Sequence, residues 1–322
     1  MPRELLEKLQ IWVYAAALAL GAGLGLWQPD FGATLEWLIS PIIAVLLYGM
    51  FAQIPLLHLR AAFANRRFTM ALLTVNFLAV PAFVWVLTHF LPSHPPLLLG
   101  VYLVLLTPCI DYVIVFTHLG RGDARLILAA TPLLLFVQML LLPVYLWFFM
   151  GGQAAQIITA GPFLQAFFIL IVLPLGLAVV TEFWAKRSAG VTRWLVATAW
   201  LPVPFMAITL FLVVVSQIGR VEEFFPLVSR IVPVYVIFMV IMPLIARVAA
   251  HMFHLDTEAG RALAFSAGTR NSLVVLPLAL ALPDTWILAA AVIVTQTLVE
   301  LIGELFYIRL VPAVIFPELK NL

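Results

Sequence analysis

Long apolar segments recur along the whole chain and constrain its fold more than any other feature. A helix of about 20 apolar residues crosses roughly 30 Å of hydrocarbon. Ten such segments cover residues 9–27, 36–54, 68–91, 97–118, 126–150, 162–183, 193–217, 227–250, 261–282 and 286–309. Lipid offers no hydrogen-bond partners to the backbone, and the alternating pattern of barrel strands is absent, so the segments are predicted to be helices. The fold class is therefore an all-α membrane protein.

The composition excludes several other classes of protein. Of the 322 residues, 65% are hydrophobic and only 10% are charged, which is too few to coat a soluble domain. A net charge of +2 from scattered basic residues does not indicate nucleic-acid binding. The single cysteine excludes an intramolecular disulfide and a multi-cysteine metal site. No nucleotide or hydrolase fingerprint interrupts the apolar segments, so we expect neither an enzyme nor a cofactor.

The basic residues predict the orientation of these helices. Cytoplasmic loops of membrane proteins are enriched in Lys and Arg. With a cytoplasmic N-terminus, the inside segments hold Arg3, Lys8, Arg60, Arg66, Arg67, Arg121, Arg125, Lys186, Arg187, Arg193, Arg247, Arg261, Arg309 and Lys320. The outside holds Arg220 and Arg230, and Arg270 falls inside the ninth segment. We therefore expect a multi-pass protein of the cell (inner) membrane with both termini cytoplasmic.

The ten segments divide into two sets of five. The first five-helix repeat is predicted to cover residues 1–155 and the second residues 156–322. Because five is odd, the second repeat must enter the membrane upside down relative to the first. Inverted repeats of this kind are typical of secondary transporters.

Polar breaks interrupt the fourth segment of each predicted repeat. The sequence "TPCID" at residues 107–111 breaks the fourth helix, and "SAGTRNS" at residues 266–272 breaks the ninth. Interrupted helices in corresponding positions of two repeats indicate a binding site near the membrane midplane. The breaks therefore predict the location of the substrate site.

Among the ionisable residues within the predicted spans, four stand out, namely Asp111, Arg270, Glu300 and Glu304. A charge in the bilayer costs about 2.5 to 3.5 kcal/mol on insertion scales, so each requires a role. Arg270 lies too deep to reach either interface. It can form a structural ion pair with Asp111 or Glu300, bind an anionic substrate, or become exposed when its carboxylate partner takes up a proton.

Glu300 and Glu304 are spaced i, i+4 and therefore share one face of the tenth helix. Burial favours the protonated form of a carboxyl group, which is what a proton carrier needs. Glu300, Glu304 and Asp111 are therefore the candidate proton-coupling residues. An alternative for Glu304 is a solvated carboxylate near the helix end at Arg309.

Cys109 follows Pro108, whose ring and missing N–H open the helix. A buried thiol is often an inert apolar group, but it is also a soft ligand suited to metalloid centres. Polar side chains in the two breaks would surround such a ligand, and they are Thr107, Thr269, Asn271 and Ser272. Together with Cys109 and Arg270 they form the predicted substrate site.

The same residues carry a family resemblance over essentially the whole chain. The matching pairs are Pro108-Cys109, Gly122-Asp123, Arg270-Asn271 and Val299-Glu300. The chain resembles the superfamily that joins bile acid:sodium symporters with arsenite permeases, and within it the arsenite permease branch. The resemblance implies discontinuous fourth and ninth helices that cross near the midplane. It also implies a core of helices 3–5 and 8–10 and a panel of helices 1, 2, 6 and 7.

The resemblance further implies that Cys109 contacts trivalent arsenic, as substrate rather than cofactor, and that Glu300 lies in the transport path. Ser266 and Arg270 stand where the symporters have a carboxylate and a glutamine that help ligate sodium. A fixed cation there disfavours sodium coupling. Asp111, Leu134 and Leu135 depart from the arsenite permease pattern.

We therefore expect a secondary transporter that exports arsenite, with antimonite as a further substrate, by alternating access and with coupling to protons. The alternative is an organic-anion transporter in which Arg270 binds the substrate carboxylate. A receptor or intramembrane enzyme is disfavoured because no loop is long enough to hold a domain and no catalytic group accompanies Cys109. The expected partners are a small-molecule or metalloid substrate, protons and the lipid bilayer, whereas the sequence indicates no oligomeric state.

Overall fold

The computed structural model describes residues 3–53, 64–110, 112–151 and 167–317. Apart from one isolated β-bridge, the regular structure of these residues is helical. Asp111 lies outside the described residues, as does the predicted boundary between the repeats at residues 155 and 156. The predictions made for Asp111 and for that boundary therefore stay predictions.

The helices begin and end close to the predicted apolar segments. They are α1 (Arg3–Trp27), α2 (Pro29–Thr34), α3 (Ile39–Phe51), α4 (Arg66–Thr88), α5 (Pro95–Leu105), α6 (Val113–Leu119), α7 (Ala124–Met150), α8 (Leu173–Ala185), α9 (Ala189–Thr198), α10 (Pro202–Glu223), α11 (Phe225–Met252), α12 (Thr257–Gly268), α13 (Ser272–Leu280) and α14 (Leu288–Leu310). Short 3-10 turns lie at Glu36–Leu38 and Asp284–Trp286. Single π-helical turns lie at Val75–Ala79, within α4, at Phe167–Val172 and at Val311–Ile315.

The seventh apolar segment forms two helices instead of the one that the sequence predicts. Residues 193–217 were expected to form one helix, but the structure divides them between α9 and α10, whose axes differ by 43° over the apolar stretch. Pro202 begins α10, where its fixed φ angle and missing N–H favour a helix start. By contrast, α7 continues through Pro132 and Pro143 without a break.

Three helices in the described part of the chain are long and apolar enough to cross a membrane: α4, α7 and α11. The bent pair of α9 and α10 adds a fourth candidate when it is counted as one span. Large apolar side chains lie exposed on these helices, as Leu140, Phe148 and Val248 illustrate. A hydrocarbon surrounding suits such a surface, whereas water does not. The arrangement of ten spans in two inverted repeats stays a prediction.

The chain forms two compact units, which interleave along the sequence. The first consists of Met1–Leu57, Ala160–Pro226 and Leu280–Leu282, and the second of His58–Thr159, Leu227–Ala279 and Pro283–Leu322. Each unit therefore takes residues from both halves of the chain.

Within the first unit, α1 packs closely along α10. A Cβ atom on Gly21 would lie 2.9 Å from the carbonyl oxygen of Phe211, so the two backbones approach to a distance that only glycine allows. The hydroxyl of Tyr48 on α3 lies 3.1 Å from the hydroxyl of Thr181 on α8 and accepts a hydrogen bond of 3.0 Å from the indole of Trp194 on α9. These polar contacts join three apolar helices.

The second unit contains both interrupted helices, α5–α6 and α12–α13. The turn before α7 is fixed by Asp123, whose carboxylate accepts hydrogen bonds from the backbone and the guanidinium of Arg125. Partial burial alone would raise the pKa of Asp123, but the hydrogen bonds and charge of Arg125 lower it below its usual value. Asp123 is therefore the N-cap of α7.

We predict that Gly100→Ala destabilises the second unit. Gly100 lies on α5 against α14, and an added Cβ would lie 2.7 Å from the carbonyl oxygen of Ala289 and 2.8 Å from Cβ of Val292. Overpacking of this kind costs about 1–3 kcal/mol. The thermal unfolding midpoint of the purified protein in detergent is expected to fall.

Gly176→Ala on α8 is the matched control, because an added Cβ there meets no atom within 4 Å. Alanine is the better helix former by about 1 kcal/mol, so this variant should keep or raise the midpoint. Equal midpoints for the two variants would contradict the close packing of α5 on α14.

Candidate substrate site at the paired helix breaks

The two helix breaks pair with each other through their backbones. The chain leaves helical geometry between α5 and α6 and again between α12 and α13, where the sequence placed both interruptions. Pro108 in the first break and Arg270 in the second form an isolated antiparallel β-bridge. The breaks are therefore one structural feature rather than two separate defects.

Two hydrogen bonds hold this bridge. The backbone N–H of Cys109 donates to the carbonyl oxygen of Thr269 at 3.1 Å, and the N–H of Asn271 donates to the carbonyl oxygen of Thr107 at 2.9 Å. Helix ends leave backbone groups without partners, and such groups are costly in an apolar surrounding. Each break therefore supplies hydrogen-bond partners for backbone groups of the other break.

A threonine occupies the same place in both breaks. The hydroxyl of Thr107 donates to the carbonyl oxygen of Leu103 at 2.8 Å, and that of Thr269 donates to the carbonyl oxygen of Phe265 at 2.6 Å. In each case the acceptor lies four residues earlier, in the last turn of the preceding helix. Pro108 lacks an N–H and so cannot continue the helical pattern after Thr107.

Arg270 is fully buried, and its guanidinium lies among neutral oxygen atoms. Its Nη1 donates to the carbonyl oxygen of Leu105 at 3.3 Å. Its Nη2 donates to Oδ1 of Asn76 at 2.8 Å and to the carbonyl oxygens of Ser266 and Ala267 at 2.5 and 2.8 Å. The charge is thus solvated by oxygen dipoles drawn from α4, α5 and α12. We call these four acceptors the oxygen cage.

Asn76 is the side chain that completes the oxygen cage. It lies in the π-helical turn Val75–Ala79, and π-helical turns are frequent at functional sites. Its Nδ2 donates to the hydroxyl of Ser266 at 3.1 Å, which fixes Oδ1 toward Arg270. The ring of Phe238 lies 5.5 Å from the guanidinium carbon and contributes a cation–π contact.

Glu300 on α14 binds the backbone of the second break. Its carboxyl group accepts hydrogen bonds from the backbone N–H of Arg270 at 2.7 Å, from the hydroxyl of Tyr112 at 2.5 Å and from the amide of Gln296 at 2.5 Å. The guanidinium of Arg270 therefore faces neutral oxygens while its N–H faces the carboxyl group. The predicted ion pair between the side chains of Arg270 and Glu300 is therefore not formed, because Glu300 bonds the backbone N–H of Arg270 instead of its guanidinium.

Glu304 lies one turn beyond Glu300 and is equally buried, with no exposed surface. Its Oε1 lies 2.7 Å from the hydroxyl of Thr269. The alternative of a solvated carboxylate at the helix end is therefore wrong, because the second unit encloses this part of α14. The neighbouring hydroxyl of Tyr307 donates to the carbonyl oxygen of Met239.

Several buried polar atoms near the breaks meet no hydrogen-bond partner among the described residues. They include both amide atoms of Asn271, the hydroxyl of Ser272 and Oε1 of Gln296, all on residues at most 2% exposed. Buried polar groups without partners are rare because each costs free energy. Cys109 is also fully buried, next to the bridge. The unpaired amide and hydroxyl groups are the places where a polar ligand can bind.

The structure brings most of the predicted site residues together in the second unit: Thr107, Cys109, Thr269, Arg270, Asn271, Ser272, Glu300 and Glu304. The sequence analysis missed Asn76, Tyr112 and Gln296. Gln296 precedes Glu300 by one helical turn, and Asn76 is an amide within an apolar segment, so both carried a signal. Among the described residues, no cluster of three or more His, Cys, Asp or Glu side chains suits a metal ion.

Two broken helices that pair at a polar, buried site are the architecture of a helical membrane transporter. A comparison with protein families agrees with this class. The chain belongs to the Sodium Bile acid symporter family, whose family model matches residues 40–224. Members of this family are transporters and not enzymes, so the chain is an integral membrane transport protein that acts on a small-molecule substrate. Comparison with curated proteins gives no match.

The family match includes the first break but ends before the second. Arg270, Glu300 and Glu304 therefore lie beyond the matched residues, and the particular branch of the family stays a prediction. The oxygen cage draws on both parts of the chain, since Asn76 and Leu105 lie within the matched residues whereas Ser266 and Ala267 lie beyond them.

We predict that Asn76→Leu lowers the stability of the second unit, because the cage loses Oδ1, the only side-chain oxygen among its four acceptors. Loss of a hydrogen bond to a buried charged group costs about 1.5–3 kcal/mol. The thermal unfolding midpoint in detergent is the measurement. Leu78→Ala is the control, since Leu78 is two-thirds exposed on the same π-helical turn. A midpoint for Asn76→Leu equal to that of Leu78→Ala would contradict the role of Asn76.

Proposed function

We propose that the chain exports arsenite across the cell (inner) membrane, coupled to proton movement. The observation that supports this proposal most directly is the placement of Cys109. Cys109 is fully buried in the first break, next to the β-bridge. The second break contains Asn271, and Ser272 begins the helix after it; the side-chain amide and hydroxyl groups of these two residues meet no partner among the described residues. A soft ligand and hydrogen-bonding side chains thus lie on neighbouring buried residues of the two paired breaks.

The chemistry of arsenous acid suits these groups. Trivalent arsenic is a soft centre that favours sulfur ligands over oxygen ligands. The remaining hydroxyl groups of arsenous acid donate and accept hydrogen bonds, and so do the side chains of Asn271 and Ser272. Antimonite has the same features. Neither substrate needs a charged partner in the site.

The oxygen cage favours an uncharged substrate over an organic anion. Nη1 and Nη2 of Arg270 already bond Asn76 and three backbone carbonyls, so a carboxylate that bound the guanidinium through two atoms would have to displace some of these acceptors. Without such a displacement it could reach only Nε, which meets no partner among the described residues. A buried cation that loses its partners is strongly destabilising. The alternative of an organic-anion transporter centred on Arg270 is therefore less well supported than arsenite export.

The cage also supports protons rather than sodium as the coupling ion. Alkali cations bind to clusters of carbonyl and amide oxygens, and here the guanidinium already bonds four such atoms. A second cation beside Arg270 would meet an unscreened positive charge. Glu300 and Glu304 are buried carboxyl groups in hydrogen-bond contact with the second break, so they are the proposed proton carriers, with Asp111 as a third.

We propose alternating access as the transport mechanism. The second unit carries the paired breaks and corresponds to the core of helices 3–5 and 8–10, while the first corresponds to the panel of helices 1, 2, 6 and 7. The compactness of each unit supports this division. Both termini are proposed to face the cytoplasm, as the distribution of basic residues indicates.

Cys109→Ser tests the substrate. In an arsenite-sensitive bacterial strain, the wild-type protein should restore growth on arsenite, and the variant should fail because a hydroxyl is a poor ligand for trivalent arsenic. Ser272→Ala is the matched control for loss of one small polar group, and it should weaken rather than abolish the rescue. Immunoblots of membranes would verify equal expression.

Absence of rescue by well-expressed wild-type protein would refute arsenite export. Full rescue by Cys109→Ser would show that the thiol is not a ligand. Uptake of an organic anion that persists in Cys109→Ser and is lost in Arg270→Gln would favour the alternative function.

Inverted membrane vesicles test the coupling ion. Arsenite accumulation should increase when the vesicle interior is made acidic, and it should stop when a protonophore collapses the gradient. An imposed sodium gradient should have no effect, because the guanidinium of Arg270 occupies the oxygen cage. Accumulation that ignores the pH gradient but follows the sodium gradient would overturn the proposed coupling.

A further inference from the structure

The hydroxyl group of Thr269 lies between two oxygen atoms, and this placement shows which of the neighbouring groups carries a hydrogen. Its Oγ1 is 2.6 Å from the carbonyl oxygen of Phe265 and 2.7 Å from Oε1 of Glu304. Both distances are in the range of O–H···O hydrogen bonds, and each such bond requires one hydrogen. A threonine hydroxyl has only one hydrogen to donate.

The second hydrogen has one available source. A carbonyl oxygen only accepts, so the hydroxyl of Thr269 donates to Phe265. The contact with Glu304 then requires a hydrogen on the carboxyl group. An ionised Glu304 would leave two oxygen atoms facing each other at one of these short distances with no hydrogen between them.

The surroundings of Glu304 agree with a neutral carboxyl group. The titratable groups that interact with it are Glu300 one turn away and Tyr307 on the same helix, and Tyr307 in turn interacts with the charge of Arg270. The guanidinium of Arg270 bonds the oxygen cage, and the hydroxyl of Tyr307 donates to a backbone carbonyl. Oε2 of Glu304 meets no donor in the described part of the chain. An ionised carboxylate buried in this way is expensive.

Glu300 has the opposite setting. Its two carboxyl oxygens receive hydrogen bonds from Tyr112, from Gln296 and from the backbone N–H of Arg270. The hydroxyl of Tyr112 also lies 3.1 Å from the carbonyl oxygen of Arg270, but its single hydrogen is assigned to the carboxyl oxygen of Glu300, which is closer at 2.5 Å. An ionised carboxyl group can only accept hydrogen bonds, and three donors satisfy it well. Two ionised carboxyl groups one turn apart would also repel each other.

We propose that Glu304 holds a proton in this conformation, which it donates in a hydrogen bond to Thr269, while Glu300 is ionised. This inference deepens the proposed function, because it names the carboxyl group that carries the coupled proton. When the proton passes from Oε1 of Glu304 to water, the hydroxyl of Thr269 turns toward the new carboxylate. The carbonyl oxygen of Phe265, in the last turn of α12, then loses one of its two hydrogen bonds.

Proton release is thereby coupled to the geometry of the second break. The carbonyl oxygen of Phe265 accepts from both the hydroxyl and the backbone N–H of Thr269, and the carbonyl of Thr269 accepts from Cys109. A change at Glu304 therefore reaches the residue proposed to bind arsenic through two consecutive contacts.

Infrared difference spectroscopy of the purified full-length protein tests this assignment without any transport assay. A protonated carboxyl group gives a C=O stretching band, which shifts in heavy water and is absent for ionised carboxylates. The wild-type protein at neutral pH should show such a band. Glu304→Gln should lose it, and the matched variant Glu300→Gln should keep it.

The thermal unfolding midpoints of the same variants give a second readout. An amide at residue 304 can still donate to Thr269, so Glu304→Gln should keep the wild-type midpoint. In Glu300→Gln one carboxyl oxygen is replaced by an NH₂ group, which would face hydrogen-bond donors instead of accepting from them. This variant should therefore unfold at a lower temperature. Thr269→Val removes the acceptor, and the carboxyl band should then shift to the position of a carboxylic acid without a hydrogen-bond partner.

Three results would overturn the assignment: no protonated-carboxyl band in the wild type, a band that survives Glu304→Gln but not Glu300→Gln, or a band that Thr269→Val leaves unmoved. These results are separable from failure of the proposed function. A band assigned to Glu304 in a protein whose vesicles ignore a pH gradient would refute proton coupling and leave the assignment intact.

Discussion

The pairing of the two broken helices is the interaction on which the rest of the site depends. A break in a membrane helix exposes backbone N–H and C=O groups that lipid cannot satisfy. Here Cys109 bonds Thr269, and Asn271 bonds Thr107, so that the two breaks satisfy part of each other's requirement. Polar side chains can then lie in the interior of an apolar protein, because the backbone around them is already held.

Arg270 gives this pairing its charge balance. Its side chain reaches the oxygen cage on one side, and its backbone N–H binds Glu300 on the other, so one residue connects α4, α5, α12 and α14. Because the cation at the paired breaks is a side chain of the protein itself, no ion from solution is required to hold the breaks together. We propose that protons rather than sodium are the coupling ion, and the carboxyl groups of α14 are the proposed place where that ion enters the mechanism.

The sequence predicted those features that a polar or charged residue within an apolar segment marks directly. Polar residues inside apolar segments predicted both breaks, and the cost of buried charge predicted an ion pair of Arg270 with Asp111 or Glu300, of which only a contact between Glu300 and the backbone N–H of Arg270 is found among the described residues. The contact between Glu300 and the backbone N–H of Arg270 was not predictable, because almost every residue has a backbone N–H and the sequence does not indicate which one a carboxyl group will bind. The partners Asn76 and Tyr112 come from other helices, and only the folded second unit brings them to the break. Prolines were poor guides on their own: α7 continues through Pro132 and Pro143, whereas α9 and α10 separate just before Pro202.

We have proposed that the paired breaks bind trivalent arsenic, with Cys109 as the sulfur ligand. X-ray absorption spectroscopy at the arsenic edge, on purified protein equilibrated with arsenite, tests it most directly. We expect one sulfur neighbour of arsenic in the wild type, with oxygen neighbours completing the shell, and loss of that sulfur in Cys109→Ser. A spectrum with oxygen neighbours alone in the wild type, identical to that of free arsenite, would contradict it.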